Sequence, residues 1–397
     1  MKLSNRLARL GTETAFAVSA EAAVFAAEGN TVYPFHLGDI NLPTPQNVVE
    51  AMDRAVADGK TGYCPNAGIP ALREALAADI NTSHGTSYTG VNVSVQPGGK
   101  PVIGKFLLAV MNPGDEVLYP NPGYPIYESM IEFHGGIAVP YGYRHGETNF
   151  ELDFDALETA ITPKTRILIY NNLQNPTGAE SSAVEMERLA ELVRRHDLAV
   201  LCDEAYFDMR YSGASRSFVE LPEMADRCVI LYTFSKKFAM TGWRLGAAIG
   251  PGPVVDAISK LNVNAESCTT HFIQVAGVEA LTGDQSGSKA ILAELRRRRD
   301  RAVELLNGID GVSCYRPEAT FYLYPEVTEV MKSRGFQDYE SFRRGVLRAT
   351  GVSFCTRLHF GRPVPGEERR YVRFAYSGID VPAIEEGLER LRAFLTS

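Results

Sequence analysis

Lys236 stands in a stretch whose neighbouring side chains could support covalent chemistry. Ser235 and Thr233 place hydroxyls one and three residues before it, and Arg244 follows eight residues after it. The apolar run 228–232 predicts a buried strand, so Lys236 would lie just past a strand end, where ligands collect in α/β sheets. An amine near an arginine cation holds its proton less tightly, and a neutral amine can attack a carbonyl carbon. The stretch therefore predicts a Schiff-base lysine beside a phosphate site, although most Ser–Lys pairs are surface residues.

Polar side chains also follow two other predicted strands. Asn175 lies in a loop after a strand at 167–170, and Asp203 and Tyr206 follow a strand at 198–202. We expect both loops at the same edge of the sheet as Lys236, because the carboxyl ends of parallel strands meet there. Asp203 could ligate a metal, cap a helix or pair with a buried cation. With no histidine or second acidic cluster nearby, a metal is the least favoured of these, and no metal site is predicted.

A Gly-Gly turn marks a third candidate position. Gly98 and Gly99 follow a predicted strand at 91–96 and precede an apolar helix at 101–111. Unpaired backbone N–H groups and the helix dipole make such a helix start a ready anion site. Most Gly-Gly pairs are only turns, so this pair indicates an anion site only in combination with the residues around Lys236, Asn175 and Asp203.

The elements that must position these residues alternate regularly between strand and helix. Short apolar strands are predicted at 116–119, 138–143, 165–170, 198–202, 228–232 and 247–249, with helices between them at 124–133, 154–161 and 182–195. The alternation indicates an α/β fold with a mostly parallel sheet covered by helices on both faces. After residue 311 an antiparallel α+β region is predicted, with strands at 312–315, 321–324 and 372–375. It indicates a second, smaller domain, which the N-terminal helix would join.

Composition and charge restrict the classes of function. The 397 residues are 45% hydrophobic with a net charge of -8, which predicts a globular protein with no general affinity for nucleic acid or acidic membranes. We interpret the basic run 296–299 as a solvated or interface face of a helix, because acidic residues flank it. Six scattered cysteines fit a reducing cytoplasm. No apolar run approaches the length of a membrane span, and Glu21 interrupts the N-terminal apolar stretch, which argues against a signal peptide.

Taken in chain order, these motifs resemble those of the class I/II aminotransferases, which are fold-type I pyridoxal-phosphate enzymes. Residues 235–244 read Ser-Lys-x-x-x-Met-x-Gly-x-Arg, after Asn-Pro-x-Gly at 175–178 and Asp-x-x-Tyr at 203–206. The resemblance covers nearly the whole chain and is nearest to the bacterial aspartate aminotransferase-like subfamily. It implies a mostly parallel, seven-stranded sheet in a large cofactor-binding domain, residues 46–285. Residues 1–45 and 286–397 would together form the small α+β domain.

The resemblance implies a role for each motif residue around a pyridoxal 5′-phosphate cofactor. Lys236 would form the Schiff base with the cofactor and then move the proton from the substrate Cα. Asp203 would keep the pyridine nitrogen protonated, and Asn175 and Tyr206 would hydrogen-bond the 3′ oxygen of the ring. The other implied cofactor contacts are Tyr124 on the ring, Gly98, Gly99, Lys100, Thr233, Ser235 and Arg244 at the phosphate, and Tyr63 reaching the phosphate of the neighbouring subunit in a homodimer.

Substrate contacts follow from the same resemblance. Arg373 matches the arginine that binds the substrate α-carboxylate, which suits its planar, bidentate guanidinium, and Gly38 matches a backbone contact to the same carboxylate. Lys100 matches a position that contacts the distal carboxylate in some bacterial aspartate aminotransferases. Arg357 or Arg362 could add to that contact. The alternative is that Lys100 only supports the phosphate or faces solvent.

The predicted function is transfer of an amino group between an L-amino acid, with aspartate and glutamate as candidates, and a 2-oxo acid in a ping-pong cycle. A carbon–sulfur lyase or an aminocyclopropane-carboxylate-synthase-like enzyme is an alternative, because either would retain Asp203 and Arg373. A non-catalytic regulator that binds DNA is a remote alternative, since such proteins carry an added basic N-terminal domain. The segments 38–43 and 355–362 depart from the family pattern, which leaves the substrate open.

Overall fold

The computed structural model describes residues 1–11 and 14–397. Its strands are β1 (Tyr33–Pro34), β2 (Val93–Gln96), β3 (Glu116–Pro120), β4 (Ile137–Tyr141), β5 (Tyr143–His145), β6 (Phe150–Leu152), β7 (Thr165–Tyr170), β8 (Ala199–Asp203), β9 (Cys228–Thr233), β10 (Gly246–Ile249), β11 (Tyr322–Leu323), β12 (Val352–Ser353), β13 (Cys355–Thr356) and β14 (Val372–Ala375). Its helices are α1 (Ala15–Ala27), α2 (Gln46–Ala57), α3 (Pro70–His84), α4 (Lys100–Val110), α5 (Ile126–Phe133), α6 (Phe154–Ala160), α7 (Ala183–Arg195), α8 (Phe234–Lys237), α9 (Gly252–Ala265), α10 (His271–Thr282), α11 (Ser286–Asn307), α12 (Thr328–Ser333), α13 (Tyr339–Thr350) and α14 (Val381–Thr396).

A seven-stranded sheet in the order β2-β10-β9-β8-β7-β3-β4 forms the centre of the molecule. Strand β10 runs antiparallel to both of its neighbours, and the other pairs are parallel. The predicted mostly parallel, seven-stranded α/β sheet is therefore confirmed. Because β2, β7, β8 and β9 all run in one direction, their carboxyl ends meet at one edge, as the loop positions predicted.

Each face of this central sheet is buried under helices. Side chains alternate between the two faces along a strand: in β9, Ile230 and Tyr232 belong to one apolar core, whereas Val229 and Leu231 belong to the other. Both cores contain helical residues packed over the strands, such as Leu189 of α7 on the first face. Burial on both faces explains why these strands read as continuous apolar runs.

Local sequence signals set the ends of several helices. Helix α7 begins with a capping box in which Ser182 and Glu185 satisfy each other's backbone N–H groups. Helix α13 begins after Asp338, whose carboxylate accepts from the N–H of Ser341 at 2.8 Å. It ends at Gly351 in the left-handed conformation, with φ of 80°, a position that glycine occupies without steric cost.

Smaller sheets connect the first and last parts of the chain. Strands β11, β14 and β13 form an antiparallel three-stranded sheet, and β1 pairs in parallel with β12. A third apolar core contains residues from both regions, including Phe35, Phe374 and Leu391. The N-terminal segment therefore contacts the C-terminal α+β region, and the predicted division into two domains, with boundaries at residues 45 and 286, stays a prediction.

One local prediction is wrong. Residues 312–315 were expected to form a strand, but the structure has only an isolated bridge between Ser313 and Glu326. The basic run 296–299, predicted as a solvated or interface face, is divided: Arg296 and Arg297 are exposed, whereas Arg298 and Arg299 are buried. Their guanidinium groups donate to the carbonyls of Ser377 and Pro317 at 2.8 and 2.9 Å, and the run therefore anchors α11 to the chain around it. Within residues 1–11 and 14–397, no helix has the length and apolar character needed to cross a membrane.

Candidate active site

A cavity of about 510 Å³ opens at the edge of the central sheet where the parallel strands end. Strand pairing brings the loops together there, since Tyr170 is opposite Cys202 and Asp203 is opposite Leu231. The predicted site residues that line this cavity are Gly38, Gly99, Lys100, Tyr124, Asn175, Asp203, Tyr206, Thr233, Ser235, Lys236, Arg244 and Arg373. The structure thus gathers into one cavity residues that are dispersed over 336 positions of sequence, from 38 to 373.

Lys236 lies in the short helix α8, immediately after β9. Its Nζ donates to the carbonyl oxygen of Gly38 at 2.9 Å, and the ring centroid of Phe321 is 5.2 Å away. Thr233 caps α8 by accepting from the N–H of Ser235 at 3.2 Å. The half-buried amine therefore contacts a backbone oxygen from the N-terminal segment at the floor of the cavity.

One end of the cavity has the composition of a phosphate site. The amino end of α4 carries Gly99, and Thr233, Ser235 and Arg244 lie on the same wall. Gly98 has φ of +100°, and a Cβ there would overlap the Arg244 guanidinium. A Cβ on Gly99 would lie 2.8 Å from Leu231 Cδ2. Only glycine therefore fits at these two positions of the turn. The close packing that results brings backbone N–H groups, hydroxyls and a guanidinium together, as an anion site requires.

The carboxylate of Asp203 is buried at the end of β8. One oxygen accepts a 2.5 Å hydrogen bond from the hydroxyl of Tyr127, and the other accepts from the N–H of Ala205 at 3.1 Å. Burial raises the pKa of Asp203, and these two donors oppose the rise because they stabilise the charged form. The carboxylate is therefore fixed in orientation at both oxygens.

Arg373 lies in β14 and lines the same cavity. Its guanidinium donates to Asn175 Oδ1 at 3.1 Å and to the carbonyl of His36 at 2.8 Å, while its Nε has no hydrogen-bond partner among the residues that the structure describes. The rings of Tyr322 and Phe360 flank it, with centroids 4.5 and 4.4 Å from Cζ. Burial and the charge of Arg373 lower the pKa of His36 to about 4. The guanidinium is thus held rigidly with donor capacity left for a carboxylate.

Four of the residues considered from the sequence lie outside this cavity. Gly98 packs behind the wall against Arg244, and Tyr63 is 89% exposed on the surface of its own subunit. The suggestion that Arg357 or Arg362 adds to a substrate grip is not supported. Arg357 is fully buried and pairs with Glu367 at 2.8 Å, and Arg362 pairs with Glu128 and Glu132. Neither arginine lines the cavity, because acidic partners hold both elsewhere.

Four residues of the site were not assigned from the sequence. Tyr127 donates to Asp203, Tyr322 and Phe360 flank Arg373, and His359 lines the cavity beside Phe360. The hydroxyls of Tyr322 and Tyr206 are 2.7 Å apart. The available signal for Tyr127 was its position three residues after Tyr124, which puts both side chains on one face of a helical turn.

The donor set fits pyridoxal phosphate. A glycine turn, two hydroxyls and Arg244 suit the phosphate dianion, and the buried carboxylate of Asp203 suits a cationic ring nitrogen. The amine of Lys236 lies in the same cavity and suits an aldehyde. Asn175 and Tyr206 supply polar groups between these ends.

Comparison with known proteins agrees with this reading of the site. The structure resembles that of the aspartate aminotransferase from Thermus thermophilus with maleate, with 32% sequence identity, a TM-score of 0.90 and 99% of each chain covered. Fold and site define a fold-type I, pyridoxal-phosphate-dependent enzyme. Residues 31–391 match the family described as aminotransferase class I and II. The chain belongs to this family, and the protein is an aminotransferase.

Curated relatives match over almost their whole length. The aspartate/prephenate aminotransferase of Cereibacter sphaeroides is 34% identical over 403 residues, covering 99% of this chain and 98% of the relative. The asparagine–oxo-acid transaminase of Streptococcus mutans is 31% identical over 399 residues, covering 99% of both. These relatives share the amino-transfer reaction and differ in the substrates that their names give.

Proposed function

We propose that aspartate or glutamate is the amino donor of this aminotransferase and that a 2-oxo acid is the acceptor. The observation that carries the proposal is the position of Lys100, which lines the same cavity as Arg373 and supplies a further cation there. A dicarboxylic amino acid brings two carboxylates, so one cation would bind each. Arg373 is the natural partner of the α-carboxylate because its guanidinium is planar and held between two rings.

The setting of Lys100 supports a role in binding an anion. It is the first residue of α4, where the positive end of the helix dipole disfavours a cation. Helix stability therefore does not account for a lysine at this position. Its Nζ lies 5.8 Å from the ring centroid of Tyr124, on the cavity wall.

In the proposed mechanism each residue acts on a stated group. Pyridoxal phosphate, when bound, supplies an aldehyde carbon for amino groups and a ring that draws electrons from the substrate Cα. Asp203 holds a proton on the ring nitrogen by its negative charge, and Tyr127 keeps that carboxylate oriented. The backbone at 98–100 with Thr233, Ser235 and Arg244 binds the phosphate.

Proton transfer is assigned to Lys236. Its Nζ would take the proton from the substrate Cα and return it to the cofactor carbon, acting as base and then as acid. Gly38 O, which accepts from this amine at 2.9 Å, would orient it. Asn175 and Tyr206 would donate to the 3′ oxygen of the ring, and Tyr124 would pack on the ring face. Asn175, Asp203 and Tyr206 are buried, which limits the access of water to them.

Replacement of Lys100 by glutamine tests the donor proposal. We expect kcat/KM for aspartate to fall about tenfold, the effect of losing one hydrogen bond to a charged group, while kcat/KM for alanine stays within about twofold. Lys260→Gln is the matched control, since it removes an exposed lysine of α9 that does not line the cavity. Equal losses for aspartate and alanine, or a wild-type enzyme without a preference for aspartate, would contradict the dicarboxylate proposal. Neither result would affect the assignment to the aminotransferase family.

The proposal includes a homodimer in which Tyr63 serves the partner's site. Tyr63 is 89% exposed and does not line the cavity of its own chain, which is what a residue with a role in another subunit requires. Mixing subunits that carry Tyr63→Ala with subunits that carry Lys236→Ala tests this. A mixed dimer would contain one intact site, so activity should return on mixing. No recovery under conditions where subunits exchange, measured with labelled chains, would show that Tyr63 does not act across subunits.

We also propose that the protein works in the cytoplasm. All six cysteines are free thiols, which suits a reducing compartment. Cell fractionation with an antibody to the protein tests this, and recovery with an oxidising or membrane compartment would contradict it.

A further inference from the structure

His359 is a polar residue of the cavity wall to which neither the motifs nor the roles above give a function. It lies in the 3₁₀ turn Arg357–Phe360, directly before the phenylalanine that packs on Arg373. Ala15 and Phe16 of α1 line the cavity with it. The hydroxyl of Thr14 donates to the carbonyl of His359 at 3.2 Å and so joins the start of α1 to this turn. His359 therefore adjoins the residue that flanks Arg373, the arginine assigned to the substrate.

Hydrogen bonds determine which ring nitrogen carries the proton. His359 Nδ1 accepts from the backbone N–H of Thr356 at 3.0 Å and lies 2.8 Å from its hydroxyl. A nitrogen that accepts from a backbone N–H carries no proton itself, so the neutral ring bears its hydrogen on Nε2. Burial, together with the charges of Arg343 and Arg373, lowers the pKa of His359 and favours this neutral form. The ring thus offers one fixed N–H donor on the side that faces away from Thr356.

We propose that His359 Nε2–H donates to the distal carboxylate of the substrate, together with Lys100, and that it determines specificity for dicarboxylic substrates. The inference rests on the proposed function, because it assigns a second contact to the same carboxylate. Charge balance favours a neutral donor here: Arg373 and Lys100 already match two carboxylates, and a third cation would leave excess positive charge. A hydrogen bond from a neutral ring to a carboxylate adds directional selectivity without that excess.

The structure of the turn at 357–360 explains why Arg357 and Arg362 do not bind the distal carboxylate. Arg357 points into the protein towards Glu367, and Arg362 follows the turn and binds Glu128 and Glu132 outside the cavity. The backbone bonds that hold this arrangement also hold His359, since the N–H of Arg357 donates to the carbonyl of Tyr371 at 3.0 Å. Of the basic residues at 355–362, His359 is the one that lines the cavity.

Binding of non-reacting acids to the cofactor-loaded enzyme tests the inference. Succinate carries two carboxylates and butyrate carries one on the same number of carbons, so their dissociation constants measure recognition of the second carboxylate. We expect His359→Phe to weaken succinate binding by about tenfold or more and to leave butyrate binding within about twofold of wild type. His359→Gln retains an N–H donor and should keep more succinate affinity than His359→Phe. Isothermal titration gives these constants without turnover, and His359→Leu serves if thermal melting shows that phenylalanine is not accommodated.

Two results would overturn the inference alone. One is unchanged succinate affinity in His359→Phe in an enzyme that still prefers succinate to butyrate. The other is an equal loss for both acids, which would mean that His359 acts only by positioning Phe360 against Arg373. A wild-type enzyme that binds succinate no better than butyrate would instead overturn the dicarboxylate proposal on which the inference rests.

Discussion

Replacing Tyr127 by phenylalanine removes a single hydroxyl from the support of Asp203. The phenol donates to Asp203 Oδ2 at 2.5 Å with both side chains buried. Phenylalanine fits the same space, so the change deletes one hydrogen bond and leaves the packing of α5 intact. Water cannot readily replace the donor, because Tyr127 has no exposed surface.

The expected loss of activity in Tyr127→Phe follows from the negative charge of Asp203, which accepts the hydrogen bond. Hydrogen bonds to charged groups contribute about 1.5–3 kcal/mol, which corresponds to roughly 10- to 150-fold in an equilibrium or rate constant. The Tyr127 hydroxyl lowers the pKa of Asp203 against the effect of burial. Without it the pKa of Asp203 rises further, and the carboxylate form that holds the ring proton is lost at a higher pH. We therefore expect kcat/KM to fall about 10- to 100-fold and the acidic limb of its pH profile to move to higher pH.

Single-turnover kinetics with aspartate across the acidic range measure both effects. Tyr119→Phe is the matched control, because Tyr119 is also buried and donates to a carboxylate, Glu128 Oε2 at 2.8 Å, outside the cavity. Comparable loss of thermal stability in both variants, with a pH profile that moves only in Tyr127→Phe, would support the reasoning. The reasoning would be refuted by a Tyr127→Phe enzyme whose acidic limb is unmoved and whose kcat/KM matches that of the control.

Two further predictions concern cofactor affinity and stability. Gly246→Ala should raise the dissociation constant of pyridoxal phosphate about tenfold or more, since a Cβ there would lie 2.7 and 2.9 Å from backbone atoms of residues 98 and 99. Fluorescence titration measures this dissociation constant. Gly252→Ala is the control and should bind the cofactor normally, because a Cβ at Gly252 meets nothing within 4 Å. Burial lowers the pKa of His84, but the charge and 2.6 Å hydrogen bond of Glu204 outweigh it, so the pKa lies above its ordinary value of 6.5. This pair stabilises the fold fully below about pH 6.5 and less as pH rises through the folded-state pKa. Urea unfolding at about pH 6 and about pH 9 should therefore show a larger decrease for wild type than for His84→Gln, and parallel decreases would contradict the assignment.

Sequence signals predicted elements well where local chemistry defines them. The helices expected at 154–161 and 182–195 are observed as α6 and α7, and the bounds of each differ from the expected ones by a single residue. The strand expected at 312–315 failed because its apolar residues pack into a core without a partner strand, apart from one bridge at Ser313. An apolar run indicates burial, and pairing with another strand depends on residues far away in the chain.

The candidate site also combines residues that local sequence patterns identify with residues that only the fold brings together. Spacing around Lys236 and the order of motifs predicted which residues meet in one cavity, because strand ends of a parallel sheet share one edge. Tyr127 was not found because it acts on Asp203, 76 positions away. Arg357 and Arg362 were considered in preference to His359, since charge is visible in a sequence while the direction of a side chain is not. Glu128, which pairs with Arg362, is 234 positions away, whereas Glu367 follows Arg357 by ten positions.

The contact between Arg373 and the carbonyl of His36 has a consequence for biosynthesis. These residues are 337 positions apart, and β1 beside them pairs with β12. A ribosome adds about 5–20 residues per second, so the N-terminal segment waits tens of seconds for its partners to be made. During that time Phe35 and its neighbours have no core to enter, and binding by a chaperone would protect them. The substrate-binding end of the site is therefore completed late in synthesis, after the strands of the central sheet that carry Lys236 and Asp203 have emerged.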